Sequence, residues 1–218
     1  MSYSKKNIVT SIALMIFIIS FAVVVTVFFK ELYYLDIHYL GIDLTSGLST
    51  KVIKENYDIL INYQSIFYQG SLQFNDFIMS EGGRIHFEEV KKIFELIQIL
   101  MVVSGITSLV LVINQIKNKE YRFFKLTGII TLVVPLIIGA LASIDFNRAF
   151  VLFHEIVFDN DYWIFNNRTD PIINILPESF FMHCFIMIVV IVIILNVACI
   201  LYYNHLQKKI VNEIEANQ

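Results

Sequence analysis

The chain has 218 residues, 57% of them hydrophobic, with 16 Lys+Arg against 19 Asp+Glu and a formal net charge of −3. These charges are spread so unevenly that four windows, 8–29, 96–116, 126–144 and 179–203, hold none of them. Windows of 22, 21, 19 and 25 residues can each cross about 30 Å of hydrocarbon as a helix, which excludes a soluble enzyme, a disordered chain, a basic nucleic-acid binder and a barrel of short alternating strands.

In chain order, segment 1–7 carries Lys5 and Lys6 ahead of the first apolar run. That run is too long for a signal peptide and no Ala-x-Ala-like site follows, so it is read as a retained first helix. The connection 30–95 is too long for a turn and mixes polar residues with aromatics. Within it, Val52, Ile53, Tyr57, Leu60 and Ile61 follow a helical spacing that predicts an amphipathic helix over 44–62 near the membrane surface. Segments 71–79 and 84–87 flank Gly82-Gly83, a pattern that predicts a hairpin turn. The run from His86 to Phe94 leads into the second span and puts His86 at or just above the interface.

Segment 117–125 is a short basic connector, and Pro135 predicts a kink in the third span. The stretch 145–178 gathers His154, Glu155, Asp159, Asp161, Trp163, Arg168, Asp170 and Glu178 between two spans. Pro177 suits the first turn of the fourth helix.

Lys and Arg orient these elements. Segments 1–7, 117–125 and 204–218 carry 8 in 31 residues, whereas 30–95 with 145–178 carry 8 in 100. The positive-inside rule then places both termini in the cytoplasm and the two long connections outside. The expected fold is an all-α membrane protein, one domain over 1–218, with four transmembrane helices and an extracytoplasmic cap built from 30–95 and 145–178. Cys184 and Cys199, 15 residues apart in one predicted helix, lie about 22 Å apart along its axis and cannot bridge.

No phosphate-cradling glycine loop, His-Glu-x-x-His or Gly-x-Ser-x-Gly elbow occurs. The spans lack Asp, Glu, Lys and Arg, which argues against an ion-coupled transporter. Of five histidines, His205 reads as a solvated surface group and His38 as interfacial. His183, about one turn inside the fourth span, reads first as a hydrogen-bond partner of a neighbouring helix. His86 and His154 are expected at one depth, from segments joined to different helices. They are either two unrelated interfacial histidines or one site, and a zinc version of that site would draw on Glu88, Glu155, Asp159 or Asp161.

Asp145-Phe146, Phe153-His154, Asp161-Tyr162-Trp163, Thr169-Asp170-Pro171, Leu176-Pro177-Glu178 and Phe180-Phe181 together resemble the signature of the lipoprotein intramolecular transacylases of Gram-positive bacteria. His86-Phe87 with Val90-Lys91 and Phe94 resembles it too, and the resemblance covers nearly the whole chain. It implies an enzyme of the bacterial cell membrane, acting at the outer leaflet on diacylglyceryl-modified lipoproteins among membrane lipids. The sn-2 acyl chain would move to the α-amino group of the same cysteine, giving the lyso form. It implies His86 and His154 as catalytic residues.

Aminolysis of a tethered ester needs orientation, a base and a donor to the oxyanion, but no covalent nucleophile. No cofactor or nucleic-acid partner is expected, and no metal, since neither outer loop contains Cys and no helical His pair at i, i+4 is present. His154 is assigned as base, oriented by Glu155, Asp159 or Asp161, and His86 as the group that polarises the carbonyl or returns the proton; the reverse assignment is equally compatible with the sequence. Asp145, Trp163, Arg168, Asp170 and Glu178 are expected to bind substrate or hold His154 still. Two other readings are a metal-dependent membrane hydrolase using His86 and His154, and a non-catalytic membrane interaction protein.

Overall fold

The computed structural model describes residues 3–215, and the side chains of all of these except 134, 138, 140–143, 211 and 213–215. Its elements are α1 (Lys5–Phe28), α2 (Lys30–Tyr39), α3 (Ile42–Ser46), α4 (Thr50–Tyr63), α5 (Glu81–Lys117), α6 (Arg122–Ile144), α7 (Phe146–Val157), a 3-10 turn (Pro171–Ile175) and α8 (Glu178–Glu215). Among the described residues there is no strand. Among the described residues three helices, Lys5–Phe28, Glu81–Lys117 and Glu178–Ile210, are long and apolar enough to cross a membrane. The remaining apolar window lies within α6, which carries Pro135 inside the helix.

Contacts divide the chain into two compact units. The first comprises 1–23, 99–139 and 188–218. Its apolar centre is Ile18, Ala22 and Val192, packed by Leu14, Phe17, Ile188, Ile191, Leu195 and Cys199. Polar side chains tie its helices. Ser11 donates to the Phe123 carbonyl at 3.0 Å, and Gln115 donates to Asn7 at 3.0 Å and to Thr10 at 3.4 Å. In hydrocarbon such side chains need partners inside the protein, so these bonds set helix register.

The second unit comprises 24–98 and 140–187. Its core stacks Tyr33 on Tyr57 at 3.7 Å, with the edge of Phe180 against both rings. The Tyr33 hydroxyl donates to the Ile175 carbonyl at 2.6 Å, so the buried phenol has a partner. Burial raises the pKa of both tyrosines.

Two expectations are corrected here. The single amphipathic helix over 44–62 is instead α3 and α4: Gly47, at φ +69°, ends α3, and the Ser49 side chain caps α4 by accepting from the Val52 N–H. The apolar spacing was real, and it buries Ile53, Tyr57, Leu60 and Ile61 in the core.

Gly82-Gly83 is not a hairpin turn but the first turn of α5. The Ser80 hydroxyl accepts from the Gly83 N–H at 3.0 Å, and a Cβ on Gly83 would stand 2.2 Å from an oxygen of Asp170. Glycine is there for close approach to a carboxylate. Pro177 immediately precedes α8, and its carbonyl closes the opening turn of that helix by accepting from the Phe180 N–H.

Candidate functional site

His154 belongs to α7, which starts where the Asp145 carboxylate accepts from the Arg148 N–H at 3.0 Å. Phe146, Phe150 and His154 recur every fourth residue and so share one face. That face packs on α8 through Phe150 against Phe181 at 5.4 Å and Phe146 against Phe185 at 6.5 Å. Leu152, Phe153, Ile156 and Val157 remain exposed. His86 comes from α5, ten residues before its apolar window.

The two histidines meet. Their ring centroids are 6.0 Å apart, and relative exposures of 6% and 9% leave both nearly dry. Phe158 and Phe165 flank His86 at 4.8 and 5.4 Å, and Trp163 stacks on His154 at 4.8 Å. Desolvation lowers the pKa of His86, with the neighbouring His154 lowering it further. Desolvation also lowers that of His154, against a smaller opposing effect of its bond to Phe150. Both rings are therefore neutral at pH 7.

The orienting group of His154 is not an acid. Its Nδ1 lies 2.7 Å from the Phe150 carbonyl oxygen, which can only accept. Nδ1 must carry the proton, and Nε2 keeps its lone pair. Glu155, Asp159 and Asp161, the partners expected for this ring, are all exposed. An α-helix offers its own carbonyl at i−4, and this one reaches the ring without desolvating a carboxylate. The Nδ1 of His86 is buried with no partner among the described residues.

Four of the five expected supporting residues act on the helices that carry the histidines. Asp145 caps α7, and Trp163 stacks on His154. Asp170, 3% exposed, accepts from the Ser80 N–H at 2.8 Å and from the Thr169 hydroxyl at 2.7 Å, so it holds the start of α5. Glu178 accepts from Asn147 at 2.6 Å, joining α7 to α8. Arg168 is exposed, and its N–H donates to Asn166.

Three features escaped the sequence reading. The aromatic wall of Phe150, Phe158 and Phe165 is one. A second is Asn160, which donates to both Glu89 oxygens at 3.0 and 3.2 Å and ties the 158–170 loop to the helix of His86. Glu89 stands three residues from His86, one helical turn, and that spacing was the available signal. The third is Asp36, 4% exposed, whose carboxylate lies 2.9 Å from Nδ1 of His183. Hydrogen bonding of His183 to another helix was expected, but not its partner. Among the described residues no group of three or more His, Cys, Asp or Glu is assembled as a metal ion would require, and Glu88 is paired with Arg84.

The model of the family "lipoprotein intramolecular transacylase Lit" matches residues 8–181. A solved structure of the membrane-integral lipoprotein intramolecular transacylase Lit from Bacillus cereus superposes with a TM-score of 0.92 at 37% identity, covering 94% of this chain and 95% of that one. Two histidine-substituted variants of that protein, one to arginine and one to alanine, superpose with TM-scores of 0.87 and 0.85, both at 36% identity. The arginine variant's match covers 95% of this chain and 93% of that one, and the alanine variant's 94% and 93%. No curated protein sequence gives a significant match.

Proposed function

The chain belongs to the lipoprotein intramolecular transacylase family, and on that premise we propose that His86 and His154 catalyse transfer of the sn-2 acyl chain of a diacylglyceryl-cysteine lipoprotein to its own α-amino group. The observation that carries this assignment is the pair of neutral imidazoles 6.0 Å apart, one with its tautomer set by a backbone carbonyl.

The amine must be neutral to attack, and an α-ammonium of pKa about 7.7–8.0 is about a tenth deprotonated at pH 7. As its nitrogen bonds to the ester carbon, that nitrogen becomes strongly acidic, and Nε2 of His154 takes the proton. His86, also neutral, gives an N–H to the developing oxyanion. Collapse breaks the bond from the carbonyl carbon to the glycerol oxygen, which receives the proton from the His154 imidazolium. A ring whose pKa is depressed by burial gives that proton up readily. Atoms balance without a covalent enzyme intermediate, water or metal. The buried, unpartnered Nδ1 of His86 costs about 1–3 kcal/mol while it stays unpaired, a cost that a bound polar substrate relieves.

The setting follows the charge bias of the loops: four spans, α6 supplying the third, both termini cytoplasmic, and the site at the outer leaflet interface under a cap of 30–95 and 145–178. There the substrate's diacylglyceryl group remains among membrane lipids while its amine reaches the histidines. Asp145, Trp163, Asp170 and Glu178 act as positioning residues in this scheme.

The test is mass spectrometry of the N-terminal lipopeptide from cells with and without the chain, then with His86→Gln and His154→Gln. Lyso-form product should depend on the chain and fall by about 10²–10⁴ in rate for each variant at normal protein level. Near-normal product from both variants would remove the mechanism.

A further inference from the structure

Outside the histidine site, the first unit holds a cavity of about 260 Å³ lined by Lys5, Lys6, Val9, Thr10, Leu111, Asn114 and Gln115. We propose that this cavity binds the phosphate group of an anionic membrane lipid. The proposal is independent of the acyl-transfer chemistry.

Helical spacing builds the cavity from two faces. On α1, Lys5, Lys6, Val9 and Thr10 share one side, and on α5 so do Leu111, Asn114 and Gln115. The faces are held together by the Gln115 amide, which donates to Asn7 at 3.0 Å and Thr10 at 3.4 Å. Thr10 and Gln115 are 1% and 5% exposed, so this polar bridge is buried beneath the cavity and fixes the spacing of its two walls.

The lining chemistry selects an anion. Its groups left free to donate to a ligand are the ammonium groups of Lys5 and Lys6 and the amide of Asn114, with no carboxylate, since the Thr10 hydroxyl donates to the Lys6 carbonyl at 2.9 Å and the Gln115 NH₂ is held by Asn7 and Thr10. Neither lysine pairs with an acid among the described residues, while both remain exposed at the mouth. Asn114 accepts from Asn118 through its amide oxygen at 3.3 Å, which leaves its NH₂ as the end that can donate to a ligand.

The remaining lining selects a lipid over a free ion. Val9 and Leu111 form an apolar wall, and Ile8, Val9 and Ile12 of α1 with Leu109, Val110 and Ile113 of α5 are exposed, from 43% to 61%. Exposed apolar faces on membrane-spanning helices are where acyl chains lie. A headgroup seated on the lysines would continue directly into chains lying along these faces. Basic pockets between transmembrane helices commonly hold phospholipid headgroups for this reason.

The experiment is native mass spectrometry of the full-length protein in detergent, titrated with phosphatidylglycerol, phosphatidylcholine or inorganic phosphate, and repeated with Lys5→Gln/Lys6→Gln and with Asn114→Leu. Phosphatidylglycerol should be retained in preference to phosphatidylcholine. The double lysine variant should weaken its retention roughly 30-fold, from about fivefold per lysine. Asn114→Leu, which leaves the charge untouched, should weaken it by a smaller factor. Equal retention of the two lipids, or unchanged retention by both variants, overturns the proposal. Inorganic phosphate displacing phosphatidylglycerol at equal concentration would also overturn it, since the apolar wall would then contribute nothing.

Discussion

A proton placed on His86 would sit beside His154 among Phe158 and Phe165, with little water to solvate it. The folded-state pKa of both histidines is therefore below the unfolded value of 6.5. Above pH 6.5 neither state is protonated and the shift has no effect on stability. Below it the unfolded chain binds more protons, so stability falls as pH falls toward the folded-state values. The melting temperature in detergent should drop between pH 6.5 and 5, and His86→Gln should flatten the drop; identical profiles would show the titrating group to be elsewhere. Turnover should rise with pH through the range of the substrate amine, near 7.7–8.0, with no inflection at 6.5.

Trp163 stacks on His154, a contact worth roughly 0.5–1.5 kcal/mol, so on the proposed positioning role Trp163→Ala should slow turnover about two- to tenfold. Trp163→Phe should recover most of that loss with protein level unchanged, a pattern that loss of folding would not produce. Trp163 stood out in the sequence by its setting between Asp161 and Arg168. Phe150, by contrast, looked like one more apolar residue of a helix, since the group by which it sets the His154 tautomer is a main-chain oxygen and every residue has one.

At the scale of elements, α5 begins where Asp170, 90 residues away in sequence, meets the Ser80 N–H, and Gly83 gives that carboxylate room. Gly83→Ala should cost about 1–3 kcal/mol through overpacking. In an Asp170→Ala background the same change should cost far less, because the oxygen 2.2 Å from the new Cβ is gone. Additive losses in thermal melts of the four proteins would mean that the two positions act separately. The glycine pair was visible in the sequence, but a double glycine reads equally as a hairpin turn or as a place of close approach. Only the long-range partner distinguishes these. The break between α3 and α4 was missed for a related reason: the apolar spacing runs across it, and Gly47 is short enough to pass for a helical residue until its positive φ is seen.

For the molecule as a whole, orientation is the property on which the mechanism depends. Single cysteines introduced into 30–95 and 145–178 should react with a membrane-impermeant thiol reagent added outside intact cells, and those in 117–125 only after permeabilisation. The reverse pattern would put His86 and His154 on the wrong side for a lipoprotein anchored in the outer leaflet. Length, hydropathy and the distribution of Lys and Arg were enough to mark the chain as a helical membrane protein, because a bilayer permits few structures and each needs a long uncharged run. Sequence also carried the family resemblance and named both histidines. It did not contain the 6.0 Å approach of their rings, the tautomer of His154, the Asn160 tie to Glu89 or the pairing of Asp36 with His183. Each of these joins residues separated by tens of positions, or uses a backbone group common to all residues. Periodicity reports which face of an element is apolar, whereas the partner of a buried polar atom is decided when the elements pack.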